Sequence, residues 1–510
     1  MLFNSIEFLF FYLPLVLLVF LWLQRLGNLR LLMGWLVAAS LFFYAWWNPA
    51  YLLLLLFSAS INYSLGLLLA RSERGAVWLA LGILFNLGLL AYFKYAEFFL
   101  GNINTAFELG WNVRHIILPL AISFYTFQQI TYLVDTRKGL TEAHGFLEYC
   151  LFVSFFPQLI AGPIVHHSEM FAQFKKLHQP ADSSRNITVG ISILVIGLFK
   201  KVVIADSFAT ISTPVFSLAA AQSELSMVDV VAGSMAYALQ LYFDFSGYSD
   251  MAIGLACLFG VKLPVNFFSP YRAQNISDFW RMWHATLSRF LRDYVYMPLG
   301  GFLCSPRRQR FNLFLTMFVG GVWHGAGWTF VLYGICHGFY VVVHQLWRVR
   351  VSGPLGLVNR NGYKLLAQAL TFLVVVLSLI LFRADSVATA GHLYTQLVQP
   401  EGWMFNSQLL ALIERTNVLR VADAIAPVVP AVALIYGLIV MACLACWLLP
   451  STFQLFRHCD VTIDQIDCSR PAFFSFEWQP NGYWAWIMAV MALTCCLNLS
   501  AVSEFLYFQF

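Results

Sequence analysis

The chain has 510 residues, 60% of them hydrophobic and only 11% charged, against about 25% charged in ordinary soluble domains. No soluble core hides that much apolar surface, so composition excludes a soluble globular protein and points to a polytopic membrane protein. A net charge of +5 is too small to mark a nucleic-acid binder. Most of the ten cysteines stand singly in apolar stretches. Cys443 with Cys446, and Cys495 with Cys496, lie in hydrophobic runs without flanking charge, and they read as polarizable core residues rather than a metal site or a disulfide.

Crossing a bilayer core of about 30 Å takes roughly 20 apolar helical residues, because lipid cannot satisfy an open backbone. Residues 8–24 are charge-free, follow Glu7 rather than a basic stretch, and lead to no small-residue cleavage site. They predict a first membrane span, not a cleaved signal. Residues 31–70 carry no charge at all, and Trp46-Trp47-Asn48-Pro49 divides them into a hairpin with an aromatic interfacial turn. Further spans are expected over 75–93, 116–134, 151–165, 187–199, 230–242, 312–324, 329–344, 365–382, 425–447 and 483–502. Several are short or interrupted by Pro and Gly, which allows re-entrant segments. The expected fold class is an all-α polytopic integral membrane protein with about 11 to 13 membrane helices.

Arg25 and Arg30 follow the first span, Arg71 and Arg74 the third, and Arg137 and Lys138 the span ending at Val134. One parity accounts for all three clusters: a periplasmic N-terminus with these loops in the cytoplasm. Residues 262–310 break the pattern of spans, with Lys262, Arg272, Arg281, Arg289, Arg292, Arg307, Arg308 and Arg310 against Asp278 and Asp293. Ser277 is placed to cap a helix running to about Tyr294. At about 100° per residue, Trp280, Trp283, Leu287, Phe290, Leu291 and Tyr294 share one face, Arg281, Arg289 and Arg292 the other, and His284 lies at the boundary. This predicts an amphipathic segment at the cytoplasmic interface. No internal repeat or low-complexity linker appears. Residues 1–510 read as one membrane domain with a polar loop at 457–479 and a short tail at 503–510.

Ionisable groups in apolar segments are costly and default to functional hypotheses. Three clusters qualify: Gln240-Leu-Tyr242-Phe-Asp244-Phe-Ser246-Gly247-Tyr248-Ser249-Asp250; Trp280-Arg281-Met282-Trp283-His284-Ala-Thr-Leu-Ser288; and Gly320-Gly321-Val322-Trp323-His324-Gly325-Ala326-Gly327-Trp328. With Leu118-Pro119-Leu-Ala-Ile-Ser123-Phe-Tyr125, Phe156-Pro157-Gln-Leu-Ile-Ala161-Gly162-Pro163 and the terminal Phe505-Leu-Tyr507-Phe-Gln-Phe510, they form an ordered set. That set resembles the membrane-bound O-acyltransferase family, in the bacterial branch that O-acetylates alginate. Peptidoglycan O-acetylation and teichoic-acid alanylation proteins belong to the same broad group.

The resemblance implies membrane helices ringed around a thinned centre crossed by a tunnel. It implies His324 as the essential catalytic histidine and His284 as the supporting one. It also implies acetyl-CoA as donor from the cytoplasm, no bound cofactor or metal, and an exported polysaccharide as final acceptor. A periplasmic acetyltransferase of the SGNH or alginate-acetylation type is the implied partner, and the bacterial inner membrane the implied location.

The residues carry part of this by themselves. Imidazole, with a reference pKa of about 6.5, suits removal of a hydroxyl proton near neutral pH. Glycines around His324 allow close approach of backbones and substrate, and Trp323, Trp283 and His284 are candidate donors to an oxyanion. Arg281, Arg289 and Arg292 offer an electropositive entrance for the phosphates of coenzyme A. A histidine beside glycine can equally bridge two helices, however, and Asp244 and Asp250 are more readily understood as helix-holding groups than as reactants. Ser288 is a supporting polar residue of the second cluster. His337 and His344 share a helical face and read as polar lining, since no third ligand stands at zinc spacing; His166 and His167 have no assigned role. Tyr507 is either an acyl carrier or an interfacial aromatic anchor. A pure transporter fits the composition as well, although it would leave the ordered motifs unexplained and shows no inverted repeat. Peptidoglycan is an alternative acceptor.

Overall fold

The computed structural model describes residues 1–113, 115–140, 144–179, 183–399, 409, 413, 431–464, 472–499 and 506. A π-helical turn at Glu7–Tyr12 runs into α1 (Leu13–Arg25), and the charge-free stretch beyond folds as the hairpin of α2 (Leu29–Ala45) and α3 (Pro49–Arg71). The turn falls where Asn48 accepts the Ala50 N–H at 2.9 Å and Pro49 takes the first helical position, whose N–H has no intrahelical partner in any case. α4 (Gly75–Leu90) continues through a π-helical turn (Ala91–Tyr95) into α5 (Ala96–Phe107), so the span expected at 75–93 is the front of a 33-residue helical stretch. α6 (Ile122–Arg137) begins after a left-handed Ala121.

The span expected at 151–165 does not form. In its place stand α7 (Phe146–Ser154), α8 (Phe156–Leu159) and a loop leading to α9 (His167–Phe174). Pro157 and Pro163 cannot carry a helical ladder, and residues 149–165 are buried by protein, where irregular backbone is tolerated.

Among the described residues the remaining helices are α10 (Ser183–Phe199), α11 (Asp206–Ala220), α12 (Met227–Leu258), α13 (Ile276–Met282), α14 (Ala285–Leu291), α15 (Pro306–His324), α16 (Trp328–Trp347), α17 (Asn361–Arg383), α18 (Val387–Val398), α19 (Ala431–Leu448), α20 (Thr452–Leu455) and α21 (Gly482–Asn498). Among the described residues, six helical stretches are long and apolar enough to cross a membrane: Glu7–Arg25, Pro49–Arg71, Gly75–Phe107, Ser183–Ala220, Trp328–Ser352 and Asn361–Arg383. Three shorter apolar helices, Leu29–Ala45, Val432–Leu448 and Gly482–Asn498, accompany them. The start of the expected span 425–447 and the end of 483–502 lie outside the described residues.

α12 is the axis. Its 32 residues extend about 48 Å at ~1.5 Å each, every residue from Ala236 to Leu258 is buried, and α8, α10, α11, α17, α18 and α19 pack around it. Lipid supplies no hydrophobic drive between helices, so close packing must; a Cβ on Gly197 of α10 would lie 2.6 Å from the Gly247 carbonyl oxygen of α12. The two acids of α12 complete the attachment. Asp244 meets Lys201 Nζ at 2.7 Å, and that ammonium also reaches Asp206 at 2.9 Å. Asp250 accepts from Lys200 Nζ and from Thr452 Oγ1, both at 2.6 Å. These contacts tie the π-helical turn Lys200–Ala205 and α20 to the axis.

Candidate active site

α15 stops at His324 because Gly325 turns fully extended, and α16 restarts only at Trp328. The last carbonyls of a helix have no partner within it. Here the π-helical turn after α4 supplies them: Lys94 Nζ donates to the Trp323 and His324 carbonyls at 2.7 and 2.9 Å, and Tyr95 Oη donates to the Val322 carbonyl at 2.8 Å. Gly321 is indispensable to this corner, since a Cβ there would overlap Gly334 Cα across the α15–α16 contact. His324 is 5% exposed. Its ring packs edge-on against Trp323, Phe382 and Tyr333, with centroids 5.1, 5.1 and 6.1 Å away.

The helix expected from Ser277 to Tyr294 is broken. α13 is capped by Asn275, whose side chain accepts the Asp278 N–H at 2.9 Å; Trp283 is extended, His284 is left-handed with φ 44°, and α14 follows. Residues 266–268 take over the bonds lost at the break: Phe268 N–H donates to the Met282 carbonyl and Ala285 N–H to the Asn266 carbonyl, each at 3.0 Å. Trp280, Trp283, Leu287, Phe290 and Leu291 are nevertheless buried and Arg281 exposed, as the amphipathic pattern requires.

The break also sets the His284 tautomer. Ile164 N–H donates to Thr286 Oγ1 at 3.0 Å, and Asn266 Oδ1 accepts the Thr286 hydroxyl at 2.9 Å and the Thr286 backbone N–H at 3.4 Å; the backbone group can only donate, which marks Oδ1 as the acceptor. An acceptor oxygen, Asn266 Oδ1 stands 3.0 Å from His284 Nδ1, which therefore carries the proton and leaves the lone pair on Nε2. Neutral His284 thus presents an acceptor, where an oxyanion donor was expected. The Trp323 indole links the two histidines, its centroid 6.3 Å from the His284 ring and 5.1 Å from that of His324, and it stacks on Phe127 at 5.1 Å.

Residues 135–354, which contain both histidines, match the family described as MBOAT, membrane-bound O-acyltransferase. A peptidoglycan O-acetyltransferase of Helicobacter pylori is 45% identical over 419 residues, covering 76% of this chain and 78% of the relative. The chain belongs to the membrane-bound O-acyltransferase family. A probable alginate O-acetylase, AlgI, of Pseudomonas aeruginosa is 38% identical over 80% of this chain and 76% of its own. Its namesake from Pseudomonas fluorescens is 33% identical over the whole of both chains.

In this acyltransferase the other expected site residues divide by position. Trp283 lies in an aromatic cluster, stacked on Phe279 at 5.5 Å and edge-on to Phe267 at 5.2 Å. Ser288 Oγ donates to the Trp280 carbonyl at 2.7 Å and so staples the broken helix. Arg289 is engaged with Glu169 at 2.8 and 3.2 Å. Arg281 and Arg292 pair with Asp278 and Asp293 yet keep 72% and 55% of their side chains exposed. His337 bridges three helices: Trp280 Nε1 donates to its Nδ1 at 3.1 Å, and its Nε2 faces Ser378 Oγ at 3.0 Å.

His166 and His167 join a polar cluster at the end of α6. There Tyr294 Oη donates to Asp135 at 2.8 Å, His166 Nδ1 is 3.1 Å from Tyr294 Oη, and His167 Nδ1 is 3.4 Å from Asp135. Burial, and then the Asp135 carboxylate, push the Tyr294 phenol up and keep it a donor. Tyr507 lies outside the described residues. Its neighbour Leu506 is buried and donates its N–H to Asp244 Oδ2 at 3.2 Å.

Sequence reasoning missed Lys94 and Asn266. Lys94 carried a usable signal, being the sole charge between Gly75 and Ala96, but the expected span ended one residue before it. Asn266 offered none, because a polar residue in a loop is ordinary.

Proposed function

We propose that this acyltransferase takes acetyl from cytoplasmic acetyl-CoA and passes it across the inner membrane for O-acetylation of an exported polysaccharide such as alginate. His324 is the general base and His284 the supporting histidine. The observation that carries the reading is a buried imidazole at a helix break, joined through one indole to a second imidazole of defined tautomer. His324 takes the proton of the incoming hydroxyl, the hydroxyl oxygen forms the new C–O bond at the thioester carbon, the C–S bond breaks, and the imidazolium returns the proton to the leaving thiolate.

Arg281 and Arg292, with their exposed heads, suit the phosphates of coenzyme A on the cytoplasmic side, and the N-terminus is then periplasmic. The acetyl group leaves towards a periplasmic acetyltransferase of the SGNH or alginate-acetylation type, which completes transfer to the sugar. Peptidoglycan is the second reading of the acceptor, favoured by the 45% identity to the Helicobacter pylori enzyme.

Tyr507 is the proposed acyl carrier, supported by the buried Leu506 beside it in sequence. Purified full-length protein given acetyl-labelled acetyl-CoA is expected to release coenzyme A and to label the chain near its C-terminus. A thioester left untouched with and without the periplasmic partner favours a transporter instead. Tyr507→Phe keeps the ring and removes the nucleophile, so polymer acetylation is expected to be lost; full acetylation in that variant ends the carrier idea.

A further inference from the structure

Helix α15 delivers its negative end to the proposed reacting centre. Aligned peptide dipoles place roughly half an elementary negative charge at a helix C-terminus, and His324 is the last residue of α15. Acyl transfer turns a neutral thioester carbonyl into an oxyanion in the transition state. An uncompensated ring of carbonyls beside that oxygen opposes the reaction.

Lys94 stands where that opposition is generated. Its Nζ donates to the carbonyls of Trp323 and His324 at 2.7 and 2.9 Å and sits 5.6 Å over the Trp323 ring. It reaches them from a π-helical turn 229 and 230 residues away in sequence, with Tyr95 beside it on the Val322 carbonyl at 2.8 Å. π-turns inside α-helices commonly mark functional positions, because the extra residue re-aims a side chain. Here it aims two consecutive side chains at one helix end.

We infer that Lys94 is a positioning residue for acyl transfer: its ammonium holds the backbone of Trp323 and His324 and offsets the negative end of α15 where the oxyanion develops. The inference rests on His324 as the general base. The negative helix end is permanent, but the oxyanion it would oppose appears only in the transition state, so loss of Lys94 acts on kcat and spares KM.

The test uses the full chain in proteoliposomes with acetyl-labelled acetyl-CoA. Lys94→Met, similar in length and without charge or donors, is expected to lower kcat about 30-fold per folded molecule, short of the ~100-fold typical of losing a direct oxyanion donor. KM is expected to stay within about twofold. Lys94→Arg keeps the charge and the donors and is expected to recover most of the loss. In a His324→Ala background, Lys94→Met is expected to add less than about twofold, since the two act as a unit. Wild-type kcat per folded molecule in Lys94→Met overturns the inference, as does a loss confined to the yield of monodisperse protein. Full additivity with His324→Ala also overturns it. Undiminished turnover in His324→Ala alone is a different result and sinks the general-base reading instead.

Discussion

His324→Ala is expected to lower acetyl transfer by about 10²- to 10⁴-fold, the range that general-base catalysis contributes. The variant should remain inserted and folded, because the imidazole packs among Trp323, Phe382 and Tyr333 at the end of a helix whose carbonyls Lys94 and Tyr95 still hold. Single-turnover kinetics with labelled acetyl-CoA report the loss, and size-exclusion profiles report the fold. Near-wild-type turnover from a monodisperse variant refutes the proposed mechanism. His284→Ala is expected to cost less, since its Nδ1 is committed to Asn266 and leaves one nitrogen for the reaction.

Lys201→Met should be the most damaging substitution away from the chemistry. It strips Asp244, 1% exposed, of the ammonium that meets it at 2.7 Å. An uncompensated buried charge costs about 3–5 kcal/mol. The measurable outcome is a lower thermal midpoint in detergent, with the Leu506 contact weakened as well, because Leu506 N–H donates to the same carboxylate. Pairing it with Asp244→Leu should restore much of the midpoint, since an apolar pair of similar volume removes the stranded charge. An unchanged midpoint in the single variant shows that the pair contributes nothing to stability.

Much of the fold was legible residue by residue. The α2–α3 turn follows from Asn48 and Pro49, one a capping side chain and the other a residue confined to a helix start. The stretch 151–165 misled because hydropathy records only that side chains avoid water. Residues buried by neighbouring helices and residues bathed in lipid give the same signal, and only packing tells them apart. Around His284 the apolar residues Trp280, Trp283, Leu287, Phe290 and Leu291 are buried and Arg281 is exposed, but Arg289 turns to Glu169 and the helix is broken. A two-residue break leaves the local spacing on either side intact, so periodicity does not register it.

The sequence by itself determined the class of the protein, the order of its motifs and which two histidines, His324 and His284, the proposed chemistry rests on. Each of these rests on residue type and local spacing, which the linear chain records directly. Tertiary structure alone decided how those histidines are held. Lys94 reaches its carbonyls from 229 residues away, Asn266 closes on His284 across a loop, and Asp244 takes an ammonium from one helix and a backbone N–H from the tail. In each case the partner includes a backbone group or an unremarkable polar side chain, and such groups leave no mark in a sequence until the fold brings them together.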